Sequence, residues 1–197
     1  MQKIVFATGN AHKLGEVRAI LRDIVEVVSP ADIGFHDDVE ETGTTFEENA
    51  LIKAQAVFAA TGYPCISDDS GLCVDALGGA PGVYSARYGG EPVSHAKNIE
   101  KLLQALEGNE QRRACFVAVL CAVGFSPEPI FAKGEVCGQI LTTIQGEGGF
   151  GYDPIFMADG FDRSFAQLSP DEKNSVSHRG NAWTNLLPIL KNFVQLP

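Results

Sequence analysis

The chain has 197 residues, of which 45% are apolar and 20% charged, ordinary proportions for a folded protein and far from those of a disordered one. Its 15 Lys+Arg stand against 25 Asp+Glu, and the formal net charge of −10 excludes a general binder of nucleic acid or of anionic membranes. At this length roughly 70% of the unfolded surface is buried on folding, enough for one domain or one domain with two lobes but a tight fit for two independent ones.

Residues 3–7 read as a buried strand that ends at Thr8-Gly9-Asn10. Leu14, Val17, Ile20, Leu21 and Ile24 then recur at helical spacing, and Val25 to Val28 return to strand character. Thr45 with Glu48 three residues on is a capping box for a helix carrying Phe46, Ala50, Ala54, Val57 and Phe58 on its apolar face, stopped by Gly62. Pro64 to Ser67 form a short strand delivering Asp68-Asp69-Ser70-Gly71, after which Leu72 to Ala76 read as a separate strand. Residues 78–93 hold too many glycines and prolines for a regular element, which implies a structured loop. Ser94 caps a helix with Ile99, Leu102, Leu103 and Leu106; Ala114 to Phe125 is a central strand that pairs with Ile130 to Ile140 as a hairpin. Ser169-Pro170-Asp171-Glu172 starts another helix, and Trp183, Leu186, Leu187, Leu190 and Val194 give the face of a last one, bent or interrupted by Pro188. Parallel crossovers and a hairpin together predict an α/β chain with a mixed twisted sheet flanked by helices.

The five cysteines (65, 73, 115, 121 and 137) form no C-x-x-C pair and sit mostly in apolar runs, so all are expected as buried thiols in a reducing compartment. The first apolar run is too short for a signal peptide and none approaches the ~18 residues of a membrane span, which predicts a cytoplasmic protein.

The polar clusters fall at the ends of predicted elements, where side chains leave the scaffold. Thr8-Gly9-Asn10-Ala11-His12-Lys13 offers helix N-terminal N–H groups and a lysine, an anion site suited to a triphosphate; the same residues also read as a capped helix with a solvated lysine. Glu40-Glu41-Thr42-Gly43 precedes the helix that carries Lys53, and alone signifies only carboxylates near a helix start. Adjacent Asp68 and Asp69 at the end of a buried strand are costly to hold unless a cation or lysines compensate them, with an Asx-turn as the plainer reading. Oxygen donors for a hard cation beside lysines for phosphates are what metal-assisted phosphoryl or nucleotidyl transfer requires, and Mg²⁺ suits such donors best. Gly146 to Gly151 formally contains G-x-G-x-x-G, but Tyr152-Asp153-Pro154 follows where a pyrophosphate-binding helix should continue. That loop instead offers Phe150 or Tyr152 as a stacking face for a base, unless both are core aromatics. Lys173 is placed to reach a phosphate, and His178 and Arg179 to donate to a carbonyl on a base edge, although a His-Arg pair is commonly just surface.

In this order these clusters resemble the inosine triphosphate pyrophosphatase family. The matching segments are Thr8-Gly9-Asn10 with Lys13, Glu41 to Phe46 with Glu48-Asn49-Ala50 and Lys53, Ser67 to Leu72, Gly79 to Tyr88, Gly149 to Pro154 and Ser177 to Gly180. The resemblance implies an elongated two-lobed single domain over residues 1–197 with a central cleft, and a homodimer. It implies a Mg²⁺-dependent hydrolase that cuts ITP, dITP and XTP between the α and β phosphates. By motif position Asp69 is the proton acceptor and a metal ligand, with Glu41 helping to hold the metal. Thr8, Gly9, Asn10, Ala11, His12, Lys13, Lys53, Ser70, Phe150, Gly151, Tyr152, Asp153, Lys173, His178 and Arg179 line the nucleotide site.

On that reading the 6-oxo group of hypoxanthine or xanthine accepts where adenine presents a donor, so a donor from His178 or Arg179 selects the former. Rejection of GTP, which shares the 6-oxo group, requires a separate feature near position 2. The alternatives are a Maf-like nucleotide pyrophosphatase of other specificity and a non-catalytic nucleotide- or RNA-binding module. The acidic surface predicts free nucleotides rather than nucleic-acid polymers or membranes as partners.

Overall fold

The computed structural model describes residues 3–193. Among them are strands β1 (Lys3–Ala7), β2 (Glu26–Val28), β3 (Cys65–Val74), β4 (Arg113–Val123), β5 (Ile130–Ile140) and β6 (Phe156–Ala158), and helices α1 (Ala11–Leu21), α2 (Phe46–Thr61), α3 (His95–Ala105), α4 (Pro170–Val176) and α5 (His178–Leu190). The strands form one mixed six-stranded sheet in the order β2-β1-β3-β4-β5-β6. β1 runs parallel to β2, with Ile4 opposite Val27, and parallel to β3, with Phe6 opposite Ile66; β6 runs antiparallel to β5, with Gln139 opposite Met157. β4 and β5 are neighbours joined by Gly124 to Pro129, a link too short for a parallel crossover, so the expected hairpin forms.

By contacts the chain divides into two compact units. One comprises the chain through Asp69, Ala118–Gly134 and the chain from Arg179 on; the other comprises Ser70–Val117 and Glu135–His178. In the first, Ile4, Phe6, Val17, Leu21, Ile66, Leu120, Trp183 and Leu186 make the core, with the Phe6 and Trp183 ring centroids 6.0 Å apart. The Thr45 hydroxyl accepts from the Glu48 amide while Glu48 reaches back to the Thr45 amide, and Gly62, at φ 70°, closes α2 in the left-handed conformation that costs glycine least. In the second unit Leu72, Val74, Ile99, Leu102, Phe116, Ile140, Ile155, Phe156 and Phe165 form a separate core. Ser94 caps α3 and Ser169 caps α4, as their sequences predict.

Three expectations are corrected. Residues 65–74 are one strand, not two short ones, so Asp68 and Asp69 lie mid-strand rather than at an end. A side chain at Gly71 would overlap the Gly82 carbonyl and Ser85 Oγ, so glycine serves close approach there. The cysteines are not all thiols: Cys115 on β4 and Cys137 on β5 are joined by a disulfide, while Cys65, Cys73 and Cys121 stay unbridged. Pro188 lies inside α5, which continues to Leu190, so it does not interrupt the helix; Val194 lies outside the described residues. Among those residues no helix is long and apolar enough to cross a membrane.

Candidate active site

In the first unit β3 threads Asp68 and Asp69 through the core, and the alternation of a strand sends the two carboxylates to opposite faces. Asp68 accepts from Lys13 Nζ at 2.8 Å and from Arg179 Nε at 2.9 Å, and Arg179 also pairs with Glu16 of α1. Burial works against ionising Asp68, but Lys13 and Arg179 outweigh it and hold the carboxyl below its ordinary range. The pairing costs Lys13 something in return, since its burial lowers its ammonium pKa despite Asp68.

Asp69 has a different environment. Its Oδ2 accepts from Asn49 Nδ2 at 3.2 Å, and its Oδ1 lies 3.4 Å from Lys53 Nζ, which sits 2.6 Å from Glu41 Oε1. Burial dominates here, and with the like charges of Glu41 and Asp68 it raises the Asp69 carboxyl above its usual value although Lys53 and Lys13 oppose the shift. Burial likewise opposes the charge on Lys53, yet the three carboxylates around it raise its pKa. The two adjacent carboxyls are thus shifted in opposite directions, Asp68 below and Asp69 above the ordinary value, a divergence that flags a site for acid–base chemistry.

The loop before α1 is a capped helix start: Asn10 Oδ1 accepts from the amides of His12 and Lys13 at 2.9 and 3.2 Å, and Thr8 Oγ1 accepts from the Asn10 amide. Two of the amides expected to cradle a phosphate are therefore met by the cap. Lys13 is not the solvated lysine of the plainer reading, because it is drawn in to Asp68. Among the described residues no three His, Cys, Asp or Glu side chains converge on one metal-sized position; Glu41 and Asp69 converge on the Lys53 ammonium.

In the second unit Asp153 Oδ2 accepts from the Phe150 amide at 2.8 Å and from Lys173 Nζ at 2.7 Å, and Lys173 Nζ lies 4.7 Å from the centre of the Phe150 ring. Gly149, at φ 71°, is required there, since a side chain would overlap the Asp153 carboxylate. Lys173, expected at a phosphate, pairs with Asp153 and lies over the Phe150 ring. Tyr152 is excluded as a stacking face: its ring is in the core and its hydroxyl donates to the Ser85 carbonyl at 2.8 Å. Phe150, only half-buried, keeps that role open. The His178 imidazole is stacked on the Phe116 ring, with centroids 5.0 Å apart and 14° between planes.

Three residues of these clusters escape sequence reasoning. Glu16 stands three positions after Lys13 on the same face of α1, a spacing that flags it only once Arg179 is known to approach. Asn49 belongs to the Glu48-Asn49-Ala50 segment but is silent without the fold. Phe116 is one apolar residue in an apolar strand and carries no signal at all.

The Ham1 family model matches residues 4–189. The chain belongs to the Ham1 family. Its relatives in the Ham1 family include the dITP/XTP pyrophosphatase of Shigella flexneri, 47% identical over 98% of this chain and 100% of that protein, and the dITP/XTP pyrophosphatase of Porphyromonas gingivalis, 44% identical over 96% and 98%. The Ham1 protein of Staphylococcus aureus superposes with a TM-score of 0.87 at 45% identity, covering 97% of this chain and 99% of that one. The Ham1 protein of Coxiella burnetii superposes with a TM-score of 0.88 at 41% identity, covering 98% and 100%. The Ham1 assignment bears out the resemblance and the mixed α/β architecture read from the sequence, and the Maf-like alternative falls with it.

Proposed function

We propose that this chain hydrolyses the non-canonical purine nucleoside triphosphates dITP, ITP and XTP to the nucleoside monophosphate and pyrophosphate. The names of its full-length relatives support this reading. The observation that carries it is the divided carboxylate pair, Asp68 ion-paired with Lys13 and Arg179 and Asp69 set beside Lys53, which also pairs with Glu41.

In the proposed reaction water attacks the α-phosphorus in line, the bond to the α–β bridging oxygen breaks, and that oxygen leaves on pyrophosphate. Asp69 accepts the proton of the attacking water, so any contact it makes with a metal must be through one oxygen or through water. Asn49 holds one oxygen of Asp69 and thereby aims the other. Lys13 and Lys53 offset the phosphate charge, while Thr8, Gly9, Asn10, Ala11 and His12 would contact the phosphates through groups other than the His12 and Lys13 amides that the Asn10 cap engages, and Ser70 follows Asp69 on β3. Glu41 and Asp69 would hold Mg²⁺: both present oxygen donors, they already gather round a cation, and a magnesium site needs only one or two carboxylates beside the substrate's phosphates. Bound there, the ion would supply charge neutralisation to the leaving pyrophosphate.

Phe150 with Gly151 and Asp153 would meet the base, stacked with Lys173 behind the ring, and His178 would donate to the 6-oxo group. Arg179, engaged by Asp68 and Glu16, serves better as fixed charge than as the discriminating donor. A homodimer and a cytoplasmic place beside the free nucleotide pool complete the reading. One assay tests it: pyrophosphate release from dITP, ITP, XTP, GTP and ATP with and without Mg²⁺. Release from the first three that requires the metal supports the proposal; nucleotide binding without release identifies a binding module instead.

A further inference from the structure

Phe116 takes no part in the proposed reaction, yet the rings of Phe156 and Phe165 both pack against it. Phe156 meets it edge-on at 4.8 Å and 69°, Phe165 lies parallel to it within 3° at 6.2 Å, and Phe156 and Phe165 lock each other at 5.0 Å and 70°. These contacts fix the plane of Phe116, and the imidazole of His178 lies along that plane. A histidine ring has broad freedom about its second side-chain torsion, and rotation would lift the imidazole off its platform and forfeit the stacking. The ring plane therefore decides the direction in which an in-plane N–H of His178 points, and a hydrogen bond weakens steeply with misalignment.

We propose that Phe116 is a positioning residue for purine selection, acting through His178 by fixing the imidazole plane. The inference rests on the reading of His178 as the donor to the 6-oxo group. It predicts that Phe116→Leu, which keeps an apolar side chain but removes the flat face, weakens 6-oxo selection rather than catalysis in general.

The test is a double-mutant cycle with Phe116→Leu and His178→Ala, measuring kcat and KM for dITP and dATP with Mg²⁺, alongside the ¹H–¹³C resonances of His178 assigned by their loss in His178→Ala. Phe116→Leu should lower kcat/KM for dITP about three- to tenfold through KM, leave that for dATP unchanged, and have no further effect in the His178→Ala background. It should also shift the His178 ring protons downfield, as the ring current above them is lost. Phe116→Tyr, which retains the flat ring, should keep the dITP preference. Equal losses on both substrates, or effects that simply add to those of His178→Ala, would overturn the proposal, as would unmoved His178 resonances. A wild type that releases no pyrophosphate from dITP overturns the functional reading first and this role with it, so the two failures are distinguishable.

Discussion

Arg179 and Asp68, 111 residues apart in the chain, form an ion pair of 2.9 Å in which both side chains are buried. Such a pair contributes little net stability over an apolar pair of equal volume, but removing one partner strands the other in a medium that cannot solvate it. Asp68→Asn would leave both Arg179 and Lys13 without their shared counter-charge, and should destabilise the protein by about 3–5 kcal/mol in urea unfolding at pH 7. The folded carboxyl ionises below its ordinary range, so its stabilising contribution is complete above the unfolded value of ~3.9 and is lost as the pH falls through the lower folded value. The gap between wild type and Asp68→Asn should accordingly close only in acid. A gap already closed at pH 5 would contradict the pairing.

Asp69 has the opposite sign. Burial raises its folded pKa, so the native state binds the proton more tightly than the unfolded chain, and ionisation costs stability as the pH rises from ~3.9 through the folded value. Asp69→Asn, measured without added metal, should be at least as stable as wild type at pH 7, with the advantage vanishing below pH ~3.9. Loss of the proton acceptor should at the same time lower pyrophosphate release by about 10²–10⁴-fold. Retained turnover in a folded Asp69→Asn protein would remove Asp69 from the mechanism.

The contrast between these aspartates shows what the sequence conveys and what it withholds. Capping boxes at Thr45 and Ser169, the glycine stop at Gly62 and the β4–β5 hairpin depend on residues within a few positions of one another, and all stand where their patterns place them. Asp68-Asp69 was expected at a strand end, but it lies mid-strand in the core, where carboxylates persist only if compensated. Compensation comes from Lys13, Lys53 and Arg179, held on three different helices, and only the fold brings them there. The same holds for the pairing of Cys115 with Cys137, which requires the β4–β5 register, and for Phe116 beneath His178. For Lys173 and Tyr152 the sequence does not convey which neighbour the polar end meets, Asp153 for the first and the Ser85 carbonyl for the second.

If His178 reads the 6-oxo group, its removal should act on the ratio of substrates more than on the rate for either poor substrate. An unmet donor opposite adenine costs ~1–3 kcal/mol, and His178→Ala should therefore narrow the ITP-over-ATP preference in kcat/KM by about fivefold or more. Arg179→Lys, by contrast, should cost stability through Asp68 and Glu16 while leaving that ratio close to its wild-type value. A ratio that follows Arg179 instead of His178 would move base reading to the guanidinium.

The Cys115–Cys137 bridge joins neighbouring strands across a separation of 22 residues. By loop-closure entropy a cross-link of this span stabilises the fold by about 2–4 kcal/mol, so Cys115→Ser with Cys137→Ser, or treatment of the wild type with a dithiol reductant, should lower the urea midpoint by a matching amount. Thiol titration gives the direct check. Unfolded without reductant, the chain should show the three thiols of Cys65, Cys73 and Cys121, and after reduction all five cysteines should react. In the native protein Cys65 and Cys121 should stay silent, since burial pushes both thiols up to about 12 and only the thiolate reacts. Five reactive thiols in protein isolated and unfolded without reductant would mean that the two strands meet with their sulfurs reduced, as the reducing compartment first read from the sequence requires.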